Sequence, residues 1–253
     1  MKANKNLKRF HIDTNIITQE RIMIQSREAN HIKNVLRMTI GDHLCLFDNQ
    51  GNEYEARITS LSSQGIEVEI IETFIAAPVE KSLQLCVAQS FLKDKKMDAL
   101  VRQVTELGVT RWHPFFSERS IPQPDKNRMK NRLERWQKIS HEALKQCRRN
   151  LPLEIVPPCT FDVILETGSQ ADLSLIFWEN ESMPLGGITA DKTDHPQSVF
   201  IVTGPEGGFS QQEIDKAKDK GFICLSLGPR ILKAETAAIS SVTLMQFIFG
   251  DMK

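Results

Sequence analysis

The chain has 253 residues, 40% of them hydrophobic and 25% charged, with lysine plus arginine balanced against aspartate plus glutamate at 32 each. That composition is ordinary for a soluble globular protein and argues against a polycation that coats nucleic acid indiscriminately. No apolar run approaches the ~18 residues of a membrane span, and the opening MKANKNLKRFHID lacks the apolar stretch of a signal peptide, so a cytoplasmic location away from membranes is expected.

The first segment reads as short strands. RFHI, RIMIQ, DHLCLFD, EYEARITSL and GIEVEIIET are brief, partly alternating runs, and DNQGN between the third and fourth has the length and glycine of a hairpin loop. A helical turn or two interrupts them at SREANHIKNVLRM, where Ser26 can cap and Ala29, Ile32, Val35 and Leu36 fall on one face. The pattern is that of a small β-barrel, and a proline-bearing connector, FIAAPVEK, follows it.

From about residue 80 strands alternate with long helices. SLQLCVAQ reads as a buried strand, and KKMDALVRQVTELG as a helix with Met97, Leu100, Val101, Val104 and Leu107 on one face and Gly108 at its C-cap. VTRWHPFF is the next strand. Residues 126–149 form a basic amphipathic helix, with Met129, Leu133, Trp136, Ile139, Ala143 and Cys147 inward; Trp112 and Trp136 are read as core. Then come LSLIFWEN, a polar loop over residues 184–197, SVFIV, a helix from Gln211, FICLSL and a last helix, ETAAISSVTLMQFIFG. This is the β/α alternation of a mostly parallel sheet with helices on both faces. The five cysteines are scattered without CxxC spacing and the six histidines without HxxxH, so no disulfide framework, zinc site or catalytic metal is expected.

SVFIVTGPEGGFSQQEI runs a strand through a glycine-dense turn into a helix, and Ser210 with Glu213 forms a capping box at that helix start. Such a turn offers backbone N–H groups to a small polar ligand. It is neither a Walker A loop, since no GK[ST] follows, nor a GxGxxG fingerprint. A second turn repeats the logic in FICLSLGPRILKAETAAIS, with Gly228 and Pro229 after a strand and a helix opening at Glu235 and Thr236. Two such loops at neighbouring strand ends can form one pocket.

GPEGGFS followed by LGPRILKAETA resembles the cofactor signature of the SPOUT methyltransferases, specifically the bacterial ribosomal RNA small subunit methyltransferase E family. HIKNVLRMTIGDHLCLFDNQGNEYEARI is similar to that family's PUA-like barrel, and KMDALVRQVTELGV, PFFSERS and RWQKISHEALKQCRRN to its middle stretches. The resemblance implies a PUA-like RNA-binding barrel over residues 1–76 and a SPOUT domain with a deep trefoil knot over 77–253. It also implies S-adenosylmethionine as cofactor, a homodimer, and methylation of uridine N3 in the 16S rRNA of the small ribosomal subunit. On it, Gly204, Pro205, Glu206, Gly207 and Gly208 line one wall of the cofactor pocket; Leu227, Gly228, Pro229, Ile231 and Leu232 line the other. The family usually has Arg-Thr where this chain has Lys233-Ala234, and commonly Gly near Asp94.

Transfer from a methyl sulfonium needs positioning and a nucleophile relieved of its proton. Arg230 is the candidate for stabilising charge on the uracil carbonyls, and Glu235 for accepting the N3 proton, although a glutamate at a helix start also suits the helix dipole and Glu206 is a rival carboxylate. Arg9, Lys33, Arg37, Arg119, Arg148 and Arg149 are the candidates for RNA phosphates, with an ion pair to Glu106 as the other reading of Arg119. The same fold acting on another RNA nucleotide, or a noncatalytic RNA-binding assembly factor, are the alternatives.

Overall fold

The computed structural model describes residues 7–12, 21–48, 50–75, 83–93, 95–120, 126–181, 183–185, 188 and 195–252, with nothing said of the side chains of Ser26, Arg27 and Lys126. The cap expected from Ser26, the position of Asp94, most of the 184–197 loop and the 76/77 domain boundary lie outside what is described. The chain forms two compact units, the first Met1–Val79 with Leu144–Pro152 and the second Glu80–Ala143 with Leu153–Lys253.

In the first unit β1 (Lys8–His11), β2 (Arg21–Ile24), β3 (His43–Phe47), β4 (Glu53–Leu61) and β5 (Ile66–Phe74) make a sheet in the order β1-β3-β4-β5-β2. β1 runs parallel to β3 and the other pairs are antiparallel. One side chain after another along these strands enters a core of Phe10, Ile22, Leu44, Leu46, Ile58 and Val68. The hairpin loop is organised by Asp48, whose fully buried carboxylate accepts from the Gln50 and Asn52 N–H groups, the Asn52 amide and the Tyr54 hydroxyl. This is an Asx turn closed into a network, so the buried charge has its partners.

The expected helix is split. α1 (Ser26–Asn30) passes into a π-helical turn, His31–Val35, with the Leu36 N–H donating to the His31 carbonyl. Widening the turn rotates later residues off the α-helical face. Ile32 is therefore fully buried, whereas Val35, expected on the same face, is 65% exposed.

The second unit holds a sheet of seven strands, every pair parallel, in the order β12-β10-β11-β6-β7-β8 with β9 also on β7. Its strands are β6 (Gln84–Ser90), β7 (Arg111–Phe116), β8 (Glu154–Ile155), β9 (Cys159–Thr160), β10 (Leu173–Phe177), β11 (Ser198–Thr203) and β12 (Ile223–Leu225). Its helices are α2 (Lys96–Glu106), α3 (Lys126–Cys147, whose end belongs to the first unit), α4 (Phe161–Gly168), α5 (Gln211–Asp219) and α6 (Ala234–Phe249).

The strand period of two sorts the core into layers. Leu85, Val87, Leu175, Val199 and Ile201 face Leu100, Val104, Trp136, Val242 and Met245, while Ala88, Ile176, Phe200 and Val202 face Phe161, Ile164, Ile214 and Ala217. Trp112 and Trp136 are both core. Gly108 closes α2 at φ +85, where a Cβ would run into the Gln246 amide that donates to the Leu107 carbonyl. β8, β9 and α4 have no counterpart in the sequence reading: two strands of two residues and one helix of eight are too short to show a period.

Candidate active site

The carboxyl ends of β6, β10, β11 and β12 converge, which is where ligands bind in open parallel sheets. A cavity of about 430 Å³ opens there. Gly204, Pro205, Glu206 and Gly208 of the first turn and Leu227, Gly228, Ile231 and Leu232 of the second line it, as do Arg230, Phe177, Glu179 and Lys96. Gly207 and Pro229 are not among its lining residues, and Glu235 touches the cavity wall through Lys96.

The first turn is held from several sides. The Gly204 carbonyl accepts from the amide of fully buried Gln89, whose Oε1 in turn accepts from Thr203. The Gly208 N–H closes the turn on the Pro205 carbonyl. Gly208 sits at φ +66, a conformation that demands glycine, and a Cβ there would push the Glu179 carboxylate aside. At the helix start Ser210 Oγ accepts from the Glu213 N–H, and Glu213 Oε2 accepts from the Ser210 N–H. The capping box read from sequence is thus present, and it has a third arm: Glu213 Oε1 accepts from the Glu118 N–H at 2.9 Å.

That arm brings in the SERS segment. Arg119 donates to the Gly207 carbonyl at 3.0 Å, and its Cβ lies against Gly207. The hydroxyls of Ser90, Ser117 and Ser120 bond one another at 2.7 to 2.9 Å and fix this segment on the end of β6. Arg119 therefore braces the first turn, with Gly207 rather than Glu106 as its partner.

Glu206 Oε1 accepts from the Lys93 N–H and from Lys96 Nζ at 3.0 Å, and Lys96 also reaches Glu235 Oε1 at 3.3 Å. Partial desolvation pushes the Glu206 carboxyl up, but the Lys93 N–H, its own amide and Lys96 together hold it below the usual range. Lys96 is raised, first by its hydrogen bond to Glu206 and then by Glu235, against a desolvation effect of opposite sign.

The second turn is open by contrast. Gly228, at φ +105, exchanges hydrogen bonds with Ser226 Oγ, and Gly228, Pro229, Arg230 and Ile231 are exposed. In the first unit Lys33 and Arg37 are exposed beside the π-turn, with Arg37 at φ 53. Arg148 is exposed and Arg149 half-buried, and neither is without an interaction. Arg9 is different: it is 8% exposed, paired with Glu53 at 3.0 Å, bonded to Asn150 and stacked on Phe47. A guanidinium committed in this way ties the first unit together and turns no face to a phosphate.

Lys96, Glu179, Gln89 and the serine cluster were not legible as site residues, because each meets the turns across long separations in sequence. An RNA methyltransferase domain family matches residues 79–246, and an RNA methyltransferase PUA domain family matches residues 24–71. The fold and site are those of an RNA methyltransferase domain carrying an RNA methyltransferase PUA domain. The ribosomal RNA small subunit methyltransferase E of Buchnera aphidicola is 30% identical over 250 residues, covering 99% of this chain and 97% of the relative. That of Aquifex aeolicus is 32% identical over 198 residues, covering 78% and 82%. The same enzyme from Neisseria gonorrhoeae, solved bound to S-adenosyl methionine, superimposes with a TM-score of 0.85 at 31% identity, covering 98% of this chain and 100% of that one. A Legionella pneumophila protein solved with bound SAM gives 0.88 at 30% identity, covering 97% and 99%. The chain belongs to the ribosomal RNA small subunit methyltransferase E family.

Proposed function

We propose that this protein is an S-adenosylmethionine-dependent methyltransferase that modifies N3 of a uridine in the 16S rRNA of the small ribosomal subunit. The observation that carries this reading is the cavity between the two glycine-proline turns, in a chain of this family. Its wall fits the cofactor. Phe177, Leu227, Ile231 and Leu232 supply an apolar face suited to an adenine ring, and the missing Cβ of Gly208 leaves the Glu179 carboxylate room beside the backbone. Trp178 also lines the cavity and keeps a buried indole N–H without a partner among the described residues. Gly204–Gly208 and Leu227–Leu232 would hold the cofactor, Gly207 and Pro229 by shaping the turns.

Bound S-adenosylmethionine supplies an electrophilic methyl carbon whose bonding pair returns to sulfur on transfer. Arg230, exposed on the cavity rim, donates to the uracil carbonyl oxygens and stabilises the charge that develops on them. Glu235 takes the N3 proton. Lys33, Arg37, Arg148 and Arg149 meet RNA phosphates, and Arg119 serves the site by shaping Gly207. A homodimer fits the apolar end of α6, where Phe247 is 62% exposed.

The test is nucleoside mass spectrometry of 16S rRNA after purified protein and S-adenosylmethionine are incubated with small subunits from a strain lacking the activity. New 3-methyluridine is the expected result. A different methylated nucleoside would move the acceptor, and none at all would overturn the enzymatic reading.

A further inference from the structure

Three charged groups from three separate elements meet at the cavity wall. Lys96 stands in the first turn of α2, Glu206 in the turn after β11 and Glu235 in the first turn of α6. One ammonium spans both carboxylates, at 3.0 Å and 3.3 Å. Glu206 has a second donor in the Lys93 N–H, so it does not depend on Lys96 alone. Glu235 is held differently. Its Oε1 faces Lys96, and its Oε2 is buried with no hydrogen-bond partner among the described residues. A buried carboxylate oxygen left without a donor costs stability, which leaves Lys96 as the group that holds this carboxylate.

We infer that Lys96 is a positioning residue for the methyl transfer: it holds Glu235, the proton acceptor proposed above, through Oε1 and ties that carboxylate to the cofactor-side turn through Glu206. The inference rests on the function proposed above. A single ammonium between two carboxylates removes their mutual repulsion, which would otherwise drive one of them to take up a proton and lose its use as a base. The remaining charged groups on the cavity wall are Glu179, Arg230 and Lys233, and no ion pair joins any of them to Glu235 among the described residues. The connection also makes chemical sense of the order of parts. Glu206 belongs to the braced turn, so Lys96 transmits that turn's fixed position to a helix whose N-cap, Lys233, makes no side-chain cap.

The test compares wild type with Lys96→Met, Lys96→Arg, Glu235→Gln and the Lys96→Met/Glu235→Gln double variant. Lys96→Met should lower kcat by about 10- to 100-fold while S-adenosylmethionine affinity, measured by calorimetry, changes less than about threefold. Lys96→Arg should restore part of the rate. In the Glu235→Gln background, removing Lys96 should cost little further rate, because it acts through the group already lost. A readout free of turnover comes from carboxyl-labelled glutamate NMR of the cofactor-free protein, in which the Glu206 titration midpoint should rise when Lys96 is removed.

A full, multiplied loss in the double variant would overturn the coupling to Glu235. An unmoved Glu206 midpoint would overturn the bridge itself, and a fall in cofactor affinity as large as the fall in rate would make Lys96 a cofactor-wall residue instead. A wild-type protein that methylates no small-subunit RNA would overturn the proposed function and the role in transfer together. That outcome is told apart from the others by the wild-type reaction alone.

Discussion

The two turns that wall the cavity share a sequence pattern, strand then Gly-Pro then helix, but are held in opposite ways. The first is gripped by Gln89 at Gly204, by Lys93 and Lys96 at Glu206, by Arg119 at Gly207 and by the Ser210–Glu213 box at its exit. The second is bonded to Ser226, and its Ile231 is 84% exposed. Similar local sequence therefore gives a preformed wall in one place and an unfinished wall in the other. An adenine ring held in this cavity would add apolar contact with Ile231.

The largest effect that sharpens this contrast is expected at Gly208. Gly208→Val forces a β-branched residue to φ +66 and into the Glu179 carboxylate. S-adenosylmethionine affinity should fall more than about 100-fold, roughly 2.7 kcal/mol, with circular dichroism and the first unit unchanged. Next comes Glu213→Ala, which removes the glutamate arm of the capping box and the tie to Glu118 from a side chain that is buried. Urea unfolding should show a loss of about 1–3 kcal/mol, with weaker cofactor binding as a consequence.

Acid should loosen the first turn and leave the second alone. The Glu206 carboxyl is held below its ordinary 4.5, so its contribution is fully present above that value and is lost as pH falls through the depressed one. The protection factor of the Lys93 N–H should fall in that window, whereas in Glu206→Gln it should not change across it. The smallest effect on stability is expected at the open turn. Ile231→Ser should change the unfolding free energy by less than about 0.5 kcal/mol, yet weaken cofactor binding by about three- to tenfold through lost apolar contact.

The two turns themselves, though not the difference between them, could be read from the sequence. The strand-turn-helix at residues 198–214 and its capping box are local, and local signals survive in a single sequence. The alternation of strands and helices also appears in the sheet, since Leu85 and Val87 face one layer and Ala88 the other. What escaped is contact between distant residues. Nothing near Gln89 announces that it will reach Gly204, 115 residues on. The charge of Arg119 is local information, whereas its contact with Gly207 is not. Arg9 misled for the same reason, its burial being decided by Glu53, Phe47 and Asn150. Val35 failed through geometry, as a π-turn has the same composition as an α-turn.

The most direct measurement is titration of wild-type protein with S-adenosylmethionine while amide exchange is followed across residues 204–208 and 227–232. The expected result is saturable binding, with exchange already slow in the first turn and protection gained chiefly in the second. No saturable binding, or protection gained elsewhere in the chain, would contradict the assignment of this cavity as the cofactor site.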